Sequence, residues 1–229
     1  MKLTQFIAVA AAGVTLSLTA MPESPTYAAT FTEVGDSGQS LSNAINVGVD
    51  INAIVGTIDT TTDVDLYQLN LADGLFIATT VRNVTNNLDT MLWLFDSKGK
   101  GIVGNDDSSN TSQSTIRANL SGGTYYLGIS NYDIEPTSAM GFIFDYTSGS
   151  QKTKLLQPTG PGGSATLINN WTIGPNGSSP RATGKYRILL NNSTVKAQPV
   201  SEPNAVLGLA TLCLSGLLFL KKVASSYSA

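Results

Sequence analysis

The side chains with the strongest claim to chemistry are acids set in turns. Asp63 and Asp65 flank Val64, Asp89 follows Leu88, and Asn105, Asp106 and Asp107 run together after Gly104. Their oxygens are hard ligands, which calcium collects about six to eight at a time. Residues two apart in a strand share a face, so Asp63 and Asp65 can serve one ion. The ligand spacing of an EF-hand loop is absent. Ordinary turn chemistry competes with this reading, because Asx side chains also bond their own backbone. At the sequence level both readings stand.

Other chemistries are restricted by what the chain lacks. It contains no histidine, which removes the commonest general base, a common metal ligand and every His-dependent triad. The single cysteine, Cys213, has no partner for an intramolecular disulfide and no imidazole to activate it. Asp106 and Asp107 are adjacent, and adjacent side chains of an extended chain point apart. Glycoside hydrolysis needs two carboxyls facing each other across about 5 to 9 Å. A distant partner such as Asp65 or Glu135 is specified by nothing in the sequence. The expectation is a protein that is not an enzyme. Among the aromatics, Trp93 lies in the most apolar stretch and is expected in the core, whereas Tyr126 and Tyr132 are the pair expected at the surface to stack on sugars.

The elements that must position these residues are short strands. In Tyr67-Gln68-Leu69-Asn70-Leu71 apolar and polar residues alternate, which gives one buried and one wet face. Ile51 to Ile58, Leu75 to Val81, Ile116 to Leu120 and Thr124 to Ile129 carry further strand signals, and Met91 to Phe95 is apolar on both faces, as in a central strand. Asp73-Gly74 and Asn86-Asn87 mark turns. Gly141 to Tyr146 suits an edge strand, Gln157 to Gly163 a loop, and Leu167 to Ile173 a short strand or core plug carrying Trp171. Gly184 to Leu190 closes the set with Tyr186, Ile188 and Leu190 on the buried face. Thr30 to Val49 fits a leading segment laid across the domain. No helical period competes, and the expected class is all-β, an antiparallel β-sandwich or jelly roll.

Composition agrees with an exported β-protein. Of the 229 residues, only 13% are charged and 41% are hydrophobic, so a core can be buried. The formal charge is −3, and leaving out Lys2, Glu23, Lys221 and Lys222 in the terminal segments takes it to about −5. There is no basic stripe for phosphate neutralisation, so nucleic acid is not an expected partner.

Both termini carry address-like segments. Residues 1–29 fit a signal peptide: Lys2, an apolar run from Phe6 to Leu18, then Pro22, Pro25 and the small residues Ala28-Ala29. The expected domain spans 30–195, and 196–204 is a linker. Residues 205–229 hold an apolar stretch from Ala205 to Leu220 followed by Lys221-Lys222, which fits a membrane-associated helix with its basic end on the cytoplasmic side.

Two resemblances rest on these residues. Thr57-Ile58, Asp63-Val64-Asp65-Leu66-Tyr67, Leu88-Asp89, Leu92 to Asp96, Asn105-Asp106-Asp107, Gly123 to Leu127 and Gly184-Lys185-Tyr186 together resemble the bacterial pre-peptidase C-terminal domain, over roughly residues 36 to 192. That resemblance implies a generally non-catalytic β-sandwich, often appended to secreted proteases, with some members binding calcium, collagen-like or polysaccharide ligands. Ser201-Glu202-Pro203, the apolar stretch and Lys221-Lys222 resemble a PEP-CTERM sorting signal. This implies a Gram-negative host, the export machinery and an exosortase-type enzyme as partners, and delivery to the outer surface or an exopolysaccharide matrix. The functional expectation is a cell-envelope or matrix module, adhesive or structural, that binds polysaccharide or a surface protein, with calcium as the cofactor to test. The alternatives are an accessory to a secreted protease and a cryptic polysaccharide hydrolase.

Overall fold

The computed structural model describes residues 29–82, 87–109, 111–145, 153–163, 165–175 and 182–191. The signal-peptide segment before Ala29, the turn residue Asn86, the linker, Ser201, Glu202, Pro203, the apolar stretch from Ala205 to Leu220 with Cys213, and Lys221 and Lys222 lie outside them. Among the described residues no helix is long and apolar enough to cross a membrane.

In chain order the strands are β1 (Ala29–Thr32), β2 (Ile45–Asn46), β3 (Ile51–Ile58), β4 (Val64–Leu71), β5 (Gly74–Val81), β6 (Thr90–Asp96), β7 (Gly101–Asn105), β8 (Thr115–Leu120), β9 (Gly123–Asn131), β10 (Ile134–Ser138), β11 (Gly141–Phe142), β12 (Asn170–Ile173) and β13 (Gly184–Asn191). Two five-stranded sheets, β1-β3-β13-β5-β8 and β2-β4-β9-β6-β7, are joined by a small third sheet, β11-β10-β12. The fold is all-β and sandwich-like.

The expected purely antiparallel pairing needs correction. The inner ladders are antiparallel, but β1 runs parallel to β3 and β2 parallel to β4, so both large sheets are mixed. The leading segment causes this. It lays one short strand on an outer edge of each sheet, and its direction is set by where the chain must go next. The turn expected at Asp73-Gly74 is present. The dipeptide does turn the chain, with Gly74 at φ 127°, a value that disfavours any residue with a side chain. It does not close a hairpin: β4 and β5 belong to different sheets. Of the expected edge strand at Gly141 to Tyr146, the described part forms a strand at Gly141–Phe142, and Tyr146 lies outside the described residues.

Alternation explains the first core. Tyr67, Leu69 and Leu71 of β4, Leu92 and Leu94 of β6, and Leu127 and Ile129 of β9 face Ile54 and Ile58 of β3, Phe76 of β5, and Tyr186, Ile188 and Leu190 of β13. A second core lies on the other face of the β4-β9-β6 sheet. There Val64, Leu66, Met91, Trp93 and Phe95 pack against Ile134, Ile143, Phe144, Leu156, Ile168 and Trp171. The sheet is therefore buried on both sides, which is why Met91 to Phe95 shows no alternation. Trp93 is fully buried, its ring 5.0 Å from that of Phe144, and its Nε1 donates to Ser130 Oγ at 2.9 Å. Tyr126 and Tyr132, expected at the surface, are half-buried against this second core.

Trp93→Ala should lower stability by about 3–5 kcal/mol through the lost ring and the cavity it leaves. The urea midpoint of the full-length protein, compared with wild type, measures this.

Candidate functional site

The ladder registers bring most of the acids to one end of one sheet. Val64 pairs with Ser130, Thr90 with Asn131, and Leu92 with Asn105. The start of β4, the end of β9, the start of β6 and the end of β7 are thus neighbours. Asp63 and Asp65, Asp89, Asp106 and Asp107, and Asp133 just past β9 occupy these positions.

The six residues expected to ligate a metal divide into two groups, and one of them is otherwise engaged. Asp63 and Asp65 converge with Asp36, each offering an oxygen within 4.8 Å of the others. Asp89, Asp106 and Asp107 converge under the same limit. Asn105 is buried and spends its amide on the backbone: Nδ2 donates to Lys154 O at 3.0 Å and Oδ1 accepts from Thr115 N at 2.8 Å. The sorting residues Ser201, Glu202, Pro203, Lys221 and Lys222 lie outside the described residues.

The first group closes the end of the sandwich interior. Asp65 is buried on the same face of β4 as Tyr67. Tyr186 Oη donates to Asp65 Oδ2 at 2.6 Å and lies 2.5 Å from Tyr67 Oη. Glu33, just past β1, accepts from Ser37 N at 3.0 Å and from Thr57 N at 2.9 Å, and its carboxylate is also bonded by Ser37 Oγ. Asp63 Oδ2 accepts from Asp59 N at 2.7 Å. Gly56 stands opposite Tyr186, and a Cβ there would overlap the Tyr186 hydroxyl and Glu33 Oε2. The missing side chain is the space in which this network meets.

Electrostatics set this group apart from ordinary turns. Burial pushes the Asp65 carboxyl well above the usual carboxylate range, and the nearby charges of Glu33 and Asp63 push it further, while the Tyr186 hydroxyl partly offsets them. Burial also raises Asp63. Asp65 Oδ1 is buried with no hydrogen-bond partner. A hard cation would satisfy that oxygen and neutralise the repulsion, so the residues present fit calcium.

The metal-ligand set read from the sequence left out four acids. Glu33 and Asp36 lie in the leading segment, whose path across the sandwich cannot be read locally. Asp133 and Glu135 lie in a stretch without alternation. One signal was available for Asp133: a Tyr-Asp pair between two strand patterns marks a tight turn, and Asp133 does adopt φ 61°, a region that Asp and Asn enter more readily than other side-chain-bearing residues.

Residues 63–131 match the family described as the bacterial pre-peptidase C-terminal domain. The matched stretch contains Asp63, Asp65, Asp89, Asp106 and Asp107, but not Glu33, Asp36, Asp133 or Glu135. No curated protein matches the chain. Among solved structures, the crystal structure of Aeromonas hydrophila PliG, a periplasmic lysozyme inhibitor of g-type lysozyme, is similar over 71% of this chain and 96% of its own, at 9% identity and a TM-score of 0.29. A likeness at that level carries no argument about function.

Tyr186→Phe removes the one hydroxyl donor to Asp65 Oδ2 and leaves a buried carboxyl less satisfied. Stability in chelator should fall by about 1–3 kcal/mol, read as a lower urea midpoint than wild type.

Proposed function

We propose that this chain is an exported, non-catalytic β-sandwich module of the cell surface or extracellular matrix, which holds calcium in its acidic clusters and binds matrix polysaccharide. The position of Asp36 carries this reading. Asp36 belongs to the cluster with Asp63 and Asp65. It also lines a polar groove with Gln39, Asn43, Asn169, Asn170 and Trp171. Side-chain amides donate and accept, as sugar hydroxyls require, and an indole edge supplies apolar contact. An ion bound beside Asp65 would hold Asp36 in place and with it one wall of the groove. Asp36 also lines a second groove, with Glu33, Thr57, Asp59 and Lys185.

The acids Asp89, Asp106 and Asp107 fit a further calcium position on the same chemistry. The leader over residues 1–29 supports export. Ser201-Glu202-Pro203 and Lys221-Lys222 support sorting to the envelope by an exosortase-type enzyme.

Full-length protein melted with calcium and again with chelator tests the metal. At free calcium a hundredfold above its dissociation constant, linkage gives about 2.7 kcal/mol of stabilisation, and Asp65→Asn should lose the part due to the first cluster. Retention on immobilised exopolysaccharide should require calcium and fall with Asp36→Ala. Coincident melts would remove calcium from the reading, and retention that persists in chelator would separate sugar binding from it.

A further inference from the structure

The β1-β3-β13-β5-β8 sheet has an outer face as well as the inner one that lines the first core. Alternation in β13 buries Tyr186, Ile188 and Leu190 and leaves Lys185, Arg187 and Leu189 exposed. β5 and β8 keep step with it, because Arg187 pairs with Val81 and Ile77 with Arg117. On the outward positions of the five strands the charged residues are Lys185, Arg187 and Arg117, and none is acidic. Arg82 is exposed at the end of β5, on the rim. The rim also holds Asp50, Asp59 and Asp73, in the connections that flank β3 and β5. In a chain of net charge −3, whose buried acids lie at the end of the other large sheet, this face differs in sign.

The same face is apolar between its charges. Leu75, Val81 and Leu189 are 44%, 40% and 42% exposed and share it, so they form a patch rather than scattered surface residues. The register sets the arginines among aliphatic neighbours. Arg187 lies between Val81 of β5 and Val55 of β3, and Arg117 lies beside Ile77. A guanidinium in such a place rests its stem on the apolar floor and lifts its charge clear of it. The outward positions of these strands carry no aromatic ring, so the face lacks the flat platform on which a sugar stacks.

We propose that this outer face docks on an anionic lipid surface, with Leu75, Val81 and Leu189 at the headgroup boundary and Arg117 and Arg187 on the lipid phosphates. Aliphatic and basic side chains on one face are the pattern of interfacial binding, in which apolar contact and attraction to anionic headgroups add. The path of the chain selects lipid over a free polyanion. β13 carries Arg187 and Leu189 and is the last described strand. Residues 192–204 separate it from the apolar stretch Ala205 to Leu220, whose composition suits a bilayer. A chain of that length spans at most about 45 Å. A domain tethered so closely meets the lipid at high effective concentration, and a face of low intrinsic affinity is enough to orient it. The docking uses neither calcium nor any residue placed in the sugar groove beside Trp171.

The test exposes full-length protein to hydroxyl radicals on vesicles of phosphatidylcholine, alone or mixed with phosphatidylglycerol, and reads side-chain oxidation by mass spectrometry. On the anionic vesicles oxidation of Leu75, Val81 and Leu189 should fall severalfold. Met140 and Ile173, exposed elsewhere, should react as before. On neutral vesicles the face should stay reactive, even where the apolar stretch carries the chain to the lipid. Arg117→Gln with Arg187→Gln should shift the balance of docked and undocked protein by about thirtyfold, some fivefold for each arginine. Raised salt should release wild type in the same way. Equal protection on both kinds of vesicle, or none on either, would overturn the proposal. Equal protection by a soluble acidic polysaccharide would give the face to a sugar polyanion instead. Protection that needs no lipid and grows with protein concentration would give it to a second copy of the chain.

Discussion

The structure depends on how it manages negative charge that has been taken out of water. Desolvating one carboxylate is costly, and several brought together repel as well. Asp63, Asp65, Asp106 and Asp133 are all buried at one end of a single sheet, and Glu135 is buried in the small sheet beside it. Tyrosine hydroxyls, backbone amides and glycine-made space relieve part of this. Tyr186 reaches across from the opposing sheet to do so, which couples the two halves of the sandwich at the point of greatest repulsion.

That end of the sheet is confined by its layers. The β4-β9-β6 sheet has the sandwich interior on one face and Phe144, Leu156, Ile168 and Trp171 on the other. Its acids cannot turn outward on either side without disturbing a core. Phe95 and Trp171 meet edge to face at 90°, so aromatic packing holds the small sheet against the large one. Apolar packing and charge thus act on the same element from different places.

Much of this was legible in the residues. Strand signals gave β3, β5, β8 and β13 within a residue or two, and alternation found β4 from Tyr67 on but not its first three residues, because each has one face in the first core. Met91 to Phe95 declared a strand buried twice, and the third layer explains it. The leading segment was not legible as strands, since β1 and β2 are short edge pieces held by partners far along the chain. Asp73-Gly74 announced a turn but not which sheet would receive β5, because a turn dipeptide encodes local dihedrals rather than partners. The acids of the turns could be named as candidates. Their division into two groups could not, because it depends on register between β4, β9, β6 and β7. Glu33, Asp36, Asp133 and Glu135 are brought near those groups by tertiary contacts that no spacing records.

The place of β13 has a consequence for how the molecule is assembled. This strand, Gly184–Asn191, lies inside its sheet between β3 and β5, and it carries Tyr186 into the acidic end. In a chain delivered N-terminus first, β3 and β5 wait with their facing edges unpaired until more than a hundred further residues have followed. Such long-range pairing is slow to nucleate. The first sheet is therefore a late event, and a chain passing through a narrow channel would stay threadable until its last described strand had emerged.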